Sequence, residues 1–143
     1  MLAGRTAASV LTPHAGELGR LLGVDSDEVS ARRLEHARRA AALAQAVVVL
    51  KGDDSLVAEP GGMVAVSRGG SPALASAGTG DVLSGVIAAL LAQGLPAFTA
   101  ACAGVSMHAR AGRIAARDVG CAEGVIAGDV IAALPRARAV AGT

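Results

Sequence analysis

The sequence predicts an α/β fold, a mostly parallel sheet flanked by helices, and three observations predict it. Ala46-Val-Val-Val-Leu50 is a continuous apolar, largely β-branched run, the pattern of a strand buried on both faces. Val82, Leu83, Val86, Ile87, Leu90 and Leu91 fall at i, i+1, i+4, i+5, i+8 and i+9, one face of a helix. Strand-like and helix-like segments also alternate along the chain, which is how helices come to cover both faces of such a sheet.

In chain order, residues 8 to 12 are a short strand stopped by Pro13. His14 to Gly23 reads as a loop and short helix closed by glycine. Asp25 or Ser26 caps the next helix, and Glu28 is placed for a capping box with Asp25. Leu34, Ala37, Ala41 and Ala44 give that helix its buried stripe, while Arg32, Arg33, Glu35, Arg38 and Arg39 form its solvated face. After the strand at 46–50, Leu56-Val-Ala and Met63-Val-Ala-Val66 flank the turn Glu59-Pro-Gly-Gly62 as a hairpin. Ser67 to Ser71 is a glycine-rich loop, and a helix follows from 81 to 93. Gly94 and Pro96 break the chain before a helix from about 97 to 113, with Phe98, Cys102, Val105, Ala109 and Gly112 on its buried stripe. Residues 114 to 124 read as loop, and Ile126 to Leu134 as a last short helix ended by Pro135 with a frayed tail beyond.

Composition narrows the function classes. The 143 residues allow at most one ordinary domain, with no internal repeat and no dividing linker. Hydrophobic residues at 52% and charged residues at 17% exclude a disordered chain, and a net charge of +1 gives no electrostatic case for nucleic acid. There is no Trp or Tyr and one Phe, so bases have no aromatic platform to stack on. No apolar run approaches the ~18 residues of a membrane span. Met1 to Arg5 holds no long apolar segment of a secretory signal, and the expected compartment is the cytoplasm. Cys102 and Cys121 match no metal or redox spacing.

Three polar clusters fall where ligands of α/β sheets bind, beyond the carboxyl ends of strands. Gly78-Thr-Gly-Asp81 opens the main helix as a tight turn. A helix N-terminus carries unpaired N–H groups and partial positive charge, so Ala77, Gly78, Thr79 and Gly80 form an anion hole with Asp81 as a base beside it. It is neither a Walker A loop nor a GxGxxG turn; isolated, it reads as a glycine turn capped by Thr79 or Asp81, and its flanking context favours the anion site. Lys51-Gly-Asp-Asp-Ser55 is either a plain acidic turn or a nucleotide site, with Lys51 facing a phosphate. His14 and Glu17, at i and i+3, are loop or capping residues, or else a ligand contact with Glu17 acting through water on a metal-bound phosphate. His108 reads as structural, and Asp53 and Asp54 have no spacing of a dedicated metal site.

The order of these clusters resembles one family. Leu11-Thr-Pro-His-Ala-Gly-Glu17, Val48-Val-Leu-Lys-Gly52, Leu74-Ala-Ser-Ala-Gly-Thr-Gly-Asp-Val-Leu-Ser-Gly85, His108-Ala-Arg-Ala-Gly112 and Ile126-Ala-Gly-Asp-Val-Ile-Ala-Ala-Leu-Pro135 are similar to segments of the ADP/ATP-dependent NAD(P)H-hydrate dehydratases. The resemblance implies a ribokinase-like fold, of which residues 1–143 correspond to the C-terminal half. It implies repair of hydrated NADH or NADPH at the expense of ADP or ATP, with Mg2+, by phosphorylation of the ring hydroxyl and elimination of phosphate. On this resemblance Asp81 is the base and touches the hydrate, and His14 contacts the hydrated dinucleotide. Lys51, Gly52, Asp53, Asp54, Ser55 and Gly80 bind the adenine nucleotide. The isolated GxGD also fits a ribokinase-like vitamin-precursor kinase, and the short length fits a non-catalytic nucleotide-binding half-domain. Half a sheet leaves an apolar edge, so the chain is expected to form a homo-oligomer or to pair with a missing N-terminal half.

Overall fold

The computed structural model describes residues 7–139, so the Met1–Arg5 start and the tail after 139 lie outside the described residues. The elements are β1 (Val10–Leu11), α1 (Ala15–Leu22), α2 (Ser26–Ala31), α3 (Arg33–Ala44), β2 (Val47–Leu50), β3 (Ser55–Ala58), β4 (Val64–Ser67), a 3-10 turn at Pro72–Ala75, α4 (Thr79–Ala92), α5 (Ala97–Val119) and α6 (Ala127–Ala139).

The four strands lie in the order β1-β2-β3-β4. β1 pairs parallel with β2, Val10 opposite Val47. β2 to β3 and β3 to β4 are antiparallel, with Val49 opposite Val57 and Leu56 opposite Val66. The α/β class and the hairpin hold, but parallel pairing is confined to β1 and β2 rather than prevailing in the sheet. The turns joining β2, β3 and β4 are too short for a crossover, and a short return can only pair antiparallel.

β2 shows why its sequence is uniformly apolar. All four of its residues are buried. Val48 and Leu50 pack with Leu18, Val29, Ala37 and Ala41 of α1–α3 on one face. Val47 and Val49 pack with Leu83, Ile87, Ala101 and Val105 of α4 and α5 on the other. A period of two with helices on both sides leaves no polar position. A third cluster joins α5 and α6 through Ala111, Ala115, Val130, Ala133 and Ala137.

Five element expectations need correction. The helix expected to run through to Ala44 breaks at Arg32 (φ −131°, ψ 48°) into α2 and α3. Asp25 caps α2 only by position, without a side-chain hydrogen bond. Glu28 lies 3.6 Å from the buried His36 Nε2 instead of closing a box. The break also turns the buried stripe: Leu34 is 46% exposed, and His36 and Ala40 are buried with Ala37, Ala41 and Ala44. α5 continues through the supposed loop to Val119 because Ala111, Gly112 and Ala115 stay buried. α6 passes through Pro135. The carbonyl that loses its partner belongs to Ile131, an exposed residue, and Ala137, two residues past the proline, is 1% exposed.

α4 packs closely against α5. A Cβ on Gly104 would meet Ile87 Cγ1 at 2.5 Å, and one on Gly112 would meet Leu74 at 2.7 Å. A hydroxyl pair, Thr12 Oγ1 and Ser84 Oγ at 3.0 Å, ties β1 to α4.

Candidate active site

The site is built from three chain segments that meet beyond the ends of β1 and β2. Pro13 ends β1, and His14 becomes the N-cap of α1. His14 Nδ1 accepts from the N–H groups of Gly16 (3.1 Å) and Glu17 (3.3 Å), and Glu17 Oε2 accepts from the His14 N–H at 2.7 Å. This reciprocal capping box is the one expected at Asp25 and Glu28, and it stands at the ligand side of the sheet. With Nδ1 an acceptor, the neutral imidazole carries its proton on Nε2, 3.5 Å from Glu17 Oε1.

Lys51 follows β2, and its N–H donates to the Pro13 carbonyl at 2.9 Å, which holds the two strand ends side by side. Its Nζ lies 3.6 Å from Glu17 Oε2. The His14 N–H holds the Glu17 carboxyl below the usual carboxylate range; partial burial opposes this, and the Lys51 charge adds to the lowering. A Cβ at Gly80 would stand 3.2 Å from Lys51 Nζ, so the ammonium reaches the first turn of α4.

That turn is rigidly tied. Gly78 sits at φ 83°, in the left-handed region. The Thr79 hydroxyl lies 2.7 Å and 2.8 Å from the carbonyls of Leu74 and Ser76, and Ser76 Oγ donates to Val125 at 2.6 Å. The Thr79 side chain is therefore spent on the turn itself. The Gly80 N–H donates to no protein acceptor among the described residues and remains one of the orphan donors of a helix start. Lys51 and this N-terminus together make a cationic corner suited to a phosphate.

A cleft of about 970 Å³ opens from that corner. His14, Lys51 to Ser55, Thr79 and Gly80 form its polar end; Pro72, Leu74, Leu83 and Val105 give it an apolar wall. The Gly70 N–H donates to the Asp53 carbonyl at 3.1 Å, joining the 51–55 and 67–71 loops into one rim. His108 lines the cleft, 7% exposed, with Nε2 unpartnered among the described residues. Burial pushes its imidazole below the usual histidine range, against a smaller opposing effect of a hydrogen bond with the Thr79 backbone.

The remaining expected site residues lie elsewhere. Gly78 and Asp81 line a shallower depression with Val82, Val86, Ala127 and Ile131, and Ala77 is exposed outside both. Successive helical residues point about 100° apart, so turning Gly80 to the cleft turns Asp81 around the helix. The sequence reading missed His108 and Arg33. His108 lies on the apolar stripe of α5 with Val105 and Gly112, and so carried only a core signal. Arg33 stood in a run of arginines with nothing to single it out, yet its guanidinium bonds the 51–54 turn.

No group of three or more His, Cys, Asp or Glu among the described residues can hold a metal. Mg2+ commonly keeps its waters and takes few protein ligands, so a cation carried in by a phosphate ligand needs no such cluster. No described helix is long and apolar enough to cross a membrane.

The sheet, the glycine turn opening α4 and the cleft beside it define a domain of the ribokinase-like α/β class. A ribokinase-like superfamily protein from Enterococcus faecalis superposes with a TM-score of 0.75 at 30% identity, over 89% of this chain and 42% of that one. The family model for NAD(P)H-hydrate dehydratase matches residues 2–136, and the chain belongs to that family. An ADP-dependent (S)-NAD(P)H-hydrate dehydratase of Neisseria meningitidis serogroup B is 46% identical over 121 residues, 85% of this chain and 41% of that protein. The ADP/ATP-dependent NAD(P)H-hydrate dehydratase of Bacillus subtilis, co-crystallized with ATP/Mg2+ and soaked with CoA, superposes with a TM-score of 0.84 at 34% identity, over 96% of this chain and 52% of that one. The chain thus spans about half the length, or less, of the relatives it matches.

Proposed function

We propose that residues 1–143 are the C-terminal half of a dehydratase domain that restores hydrated NADH or NADPH at the expense of ADP or ATP. The observation that carries this reading is the single cleft joining His14, Lys51 to Ser55 and Gly80. The terminal phosphoryl group passes to the hydroxyl of the hydrated ring. Inorganic phosphate then leaves while the ring loses a neighbouring proton, and the double bond returns. The reaction needs positioning and charge stabilisation more than covalent help from the protein.

In this reading Lys51 and the free Gly80 N–H receive the phosphates, with Ala77 to Gly80 as the backbone anion hole. Gly52 to Ser55 hold the AMP moiety, whose base lies along the apolar wall. His14 meets the hydrated dinucleotide with Nε2. Asp81 takes the hydroxyl proton. Mg2+ would be held by the nucleotide phosphates, whose charge it would neutralise, and Glu17, beside Lys51, is the carboxylate that its waters would meet. The compartment is the cytoplasm. The depression beside Asp81 is open, which supports a partner on that side: an N-terminal half or a second copy of this chain.

The test is NADH recovery from its hydrate, with ADP and then ATP, by this chain joined to the N-terminal half of the Neisseria relative. Nucleotide-dependent recovery is expected. No recovery by a folded, nucleotide-binding assembly would overturn the dehydratase reading. Accumulation of a phosphorylated product without elimination would instead point to a small-molecule kinase.

A further inference from the structure

The nucleotide rim depends on a residue outside it. Arg33 opens α3, and its Nη2 lies 2.9 Å from the Asp54 carbonyl and 3.3 Å from those of Leu50 and Lys51. Three carbonyls that converge on one point repel each other unless a donor sits among them, and a cationic donor makes the strongest such bonds. The same guanidinium occupies the space in front of Gly52. A Cβ there would meet Arg33 Nη2 at 2.6 Å and Nη1 at 2.8 Å. The glycine and the arginine are therefore one device: the missing side chain admits the guanidinium, and the guanidinium fixes the turn between β2 and β3.

From this geometry we infer that Arg33 is the positioning residue of the adenine-nucleotide loop, holding Lys51 to Ser55 in the conformation that receives the nucleotide. The inference rests on the nucleotide reading of the cleft. Arg33 does not touch the ligand. It acts through the backbone of residues that do, so its loss loosens the loop while the core, which it does not enter, stays packed.

The test compares the 143-residue chain with Arg33→Met, Gly52→Ala and the double variant. ADP affinity is measured by calorimetric titration, and backbone hydrogen exchange is followed along the chain. Arg33→Met keeps the aliphatic stem and removes the donors. It should weaken ADP binding about tenfold, and speed exchange in residues 51–55 while α5 and α6 exchange as before. Gly52→Ala pushes the guanidinium away from the other side and should reproduce both effects. Because the two changes break one contact, the double variant should bind no more weakly than the worse single. Unchanged affinity and loop exchange in Arg33→Met, or full additivity in the double variant, would overturn the inference and leave the nucleotide reading standing. A folded wild-type chain that does not bind ADP would overturn the nucleotide reading itself, and the inference with it.

Discussion

At the scale of single residues, the site divides by which way each side chain turns from a shared backbone. Lys51 and Gly80 meet because glycine leaves room for the ammonium, while Asp81, one position on, faces the open depression. If Asp81 is the base, removing its charge should affect the chemical step and spare the nucleotide. In the completed domain, Asp81→Asn should lower kcat by about a hundredfold to ten-thousandfold, with ADP affinity unchanged; steady-state kinetics beside calorimetry reads both. A near-normal rate would remove Asp81 from the role. His108 makes a separate prediction about pH. Burial holds its folded-state pKa below the ordinary value. Between the two values the unfolded chain binds the proton that the folded chain resists. Stability from neutral His108 is thus complete above about pH 6.5 and is lost as the pH falls toward the folded-state value. Melting temperature should fall from pH 8 to pH 5, and His108→Gln should flatten that slope. Glu17 is depressed too, so its contribution is present above about pH 4.3 and fades only in stronger acid.

At the scale of elements, local signals worked where one force dominated. The β-branched run at 46–50, the turn at 59–62 and the closing Gly23 (φ 70°) all behave as their chemistry dictates. They misled where packing outweighed propensity. Pro135 is a stop signal on its own, yet α6 continues because Ala133 and Ala137 are buried against α5 and its neighbours. The helix carries the proline at the cost of one hydrogen bond on an exposed face. Pro135→Ala should therefore stabilise the chain, by up to about 3 kcal/mol, as urea denaturation would register. Destabilisation would mean that the ring itself is packed. The α5 extension has the same origin: residues 114 to 119 lack a strong apolar stripe, and Ala115 is buried in the cluster that holds Val125, Val130 and Ala133.

At the scale of the whole molecule, the cleft at Lys51 is assembled and the surface around Asp81 is open. An apolar side chain on that side, Ile131 at 55% exposure, is bare in this chain. A ligand at Lys51 meets loops, strand ends and helices on several sides, whereas a second ligand at Asp81 meets only α4 and α6 with the turn before α4. The chain alone is accordingly expected to bind nucleotide without turning over the hydrate, and the joined domain to do both. The cleft itself was legible as three clusters and not as one place. Lys51, His14 and Gly80 each carried a recognisable chemistry in sequence, but Glu17 as the link between His14 and Lys51, and the fold of the 67–72 loop onto Asp53, are contacts across the chain that no spacing encodes. By itself the sequence determined the α/β class, the buried strand, the hairpin and the polar clusters, because each follows from periodicity or from the chemistry of a few neighbouring residues. Only the tertiary structure decided that Arg33 turns inward to hold three carbonyls, that His108 is buried in the cleft wall, and that Asp81 lines a depression other than the Lys51 cleft. Those outcomes depend on how helices rotate when they pack against one sheet, a property of all the contacts together.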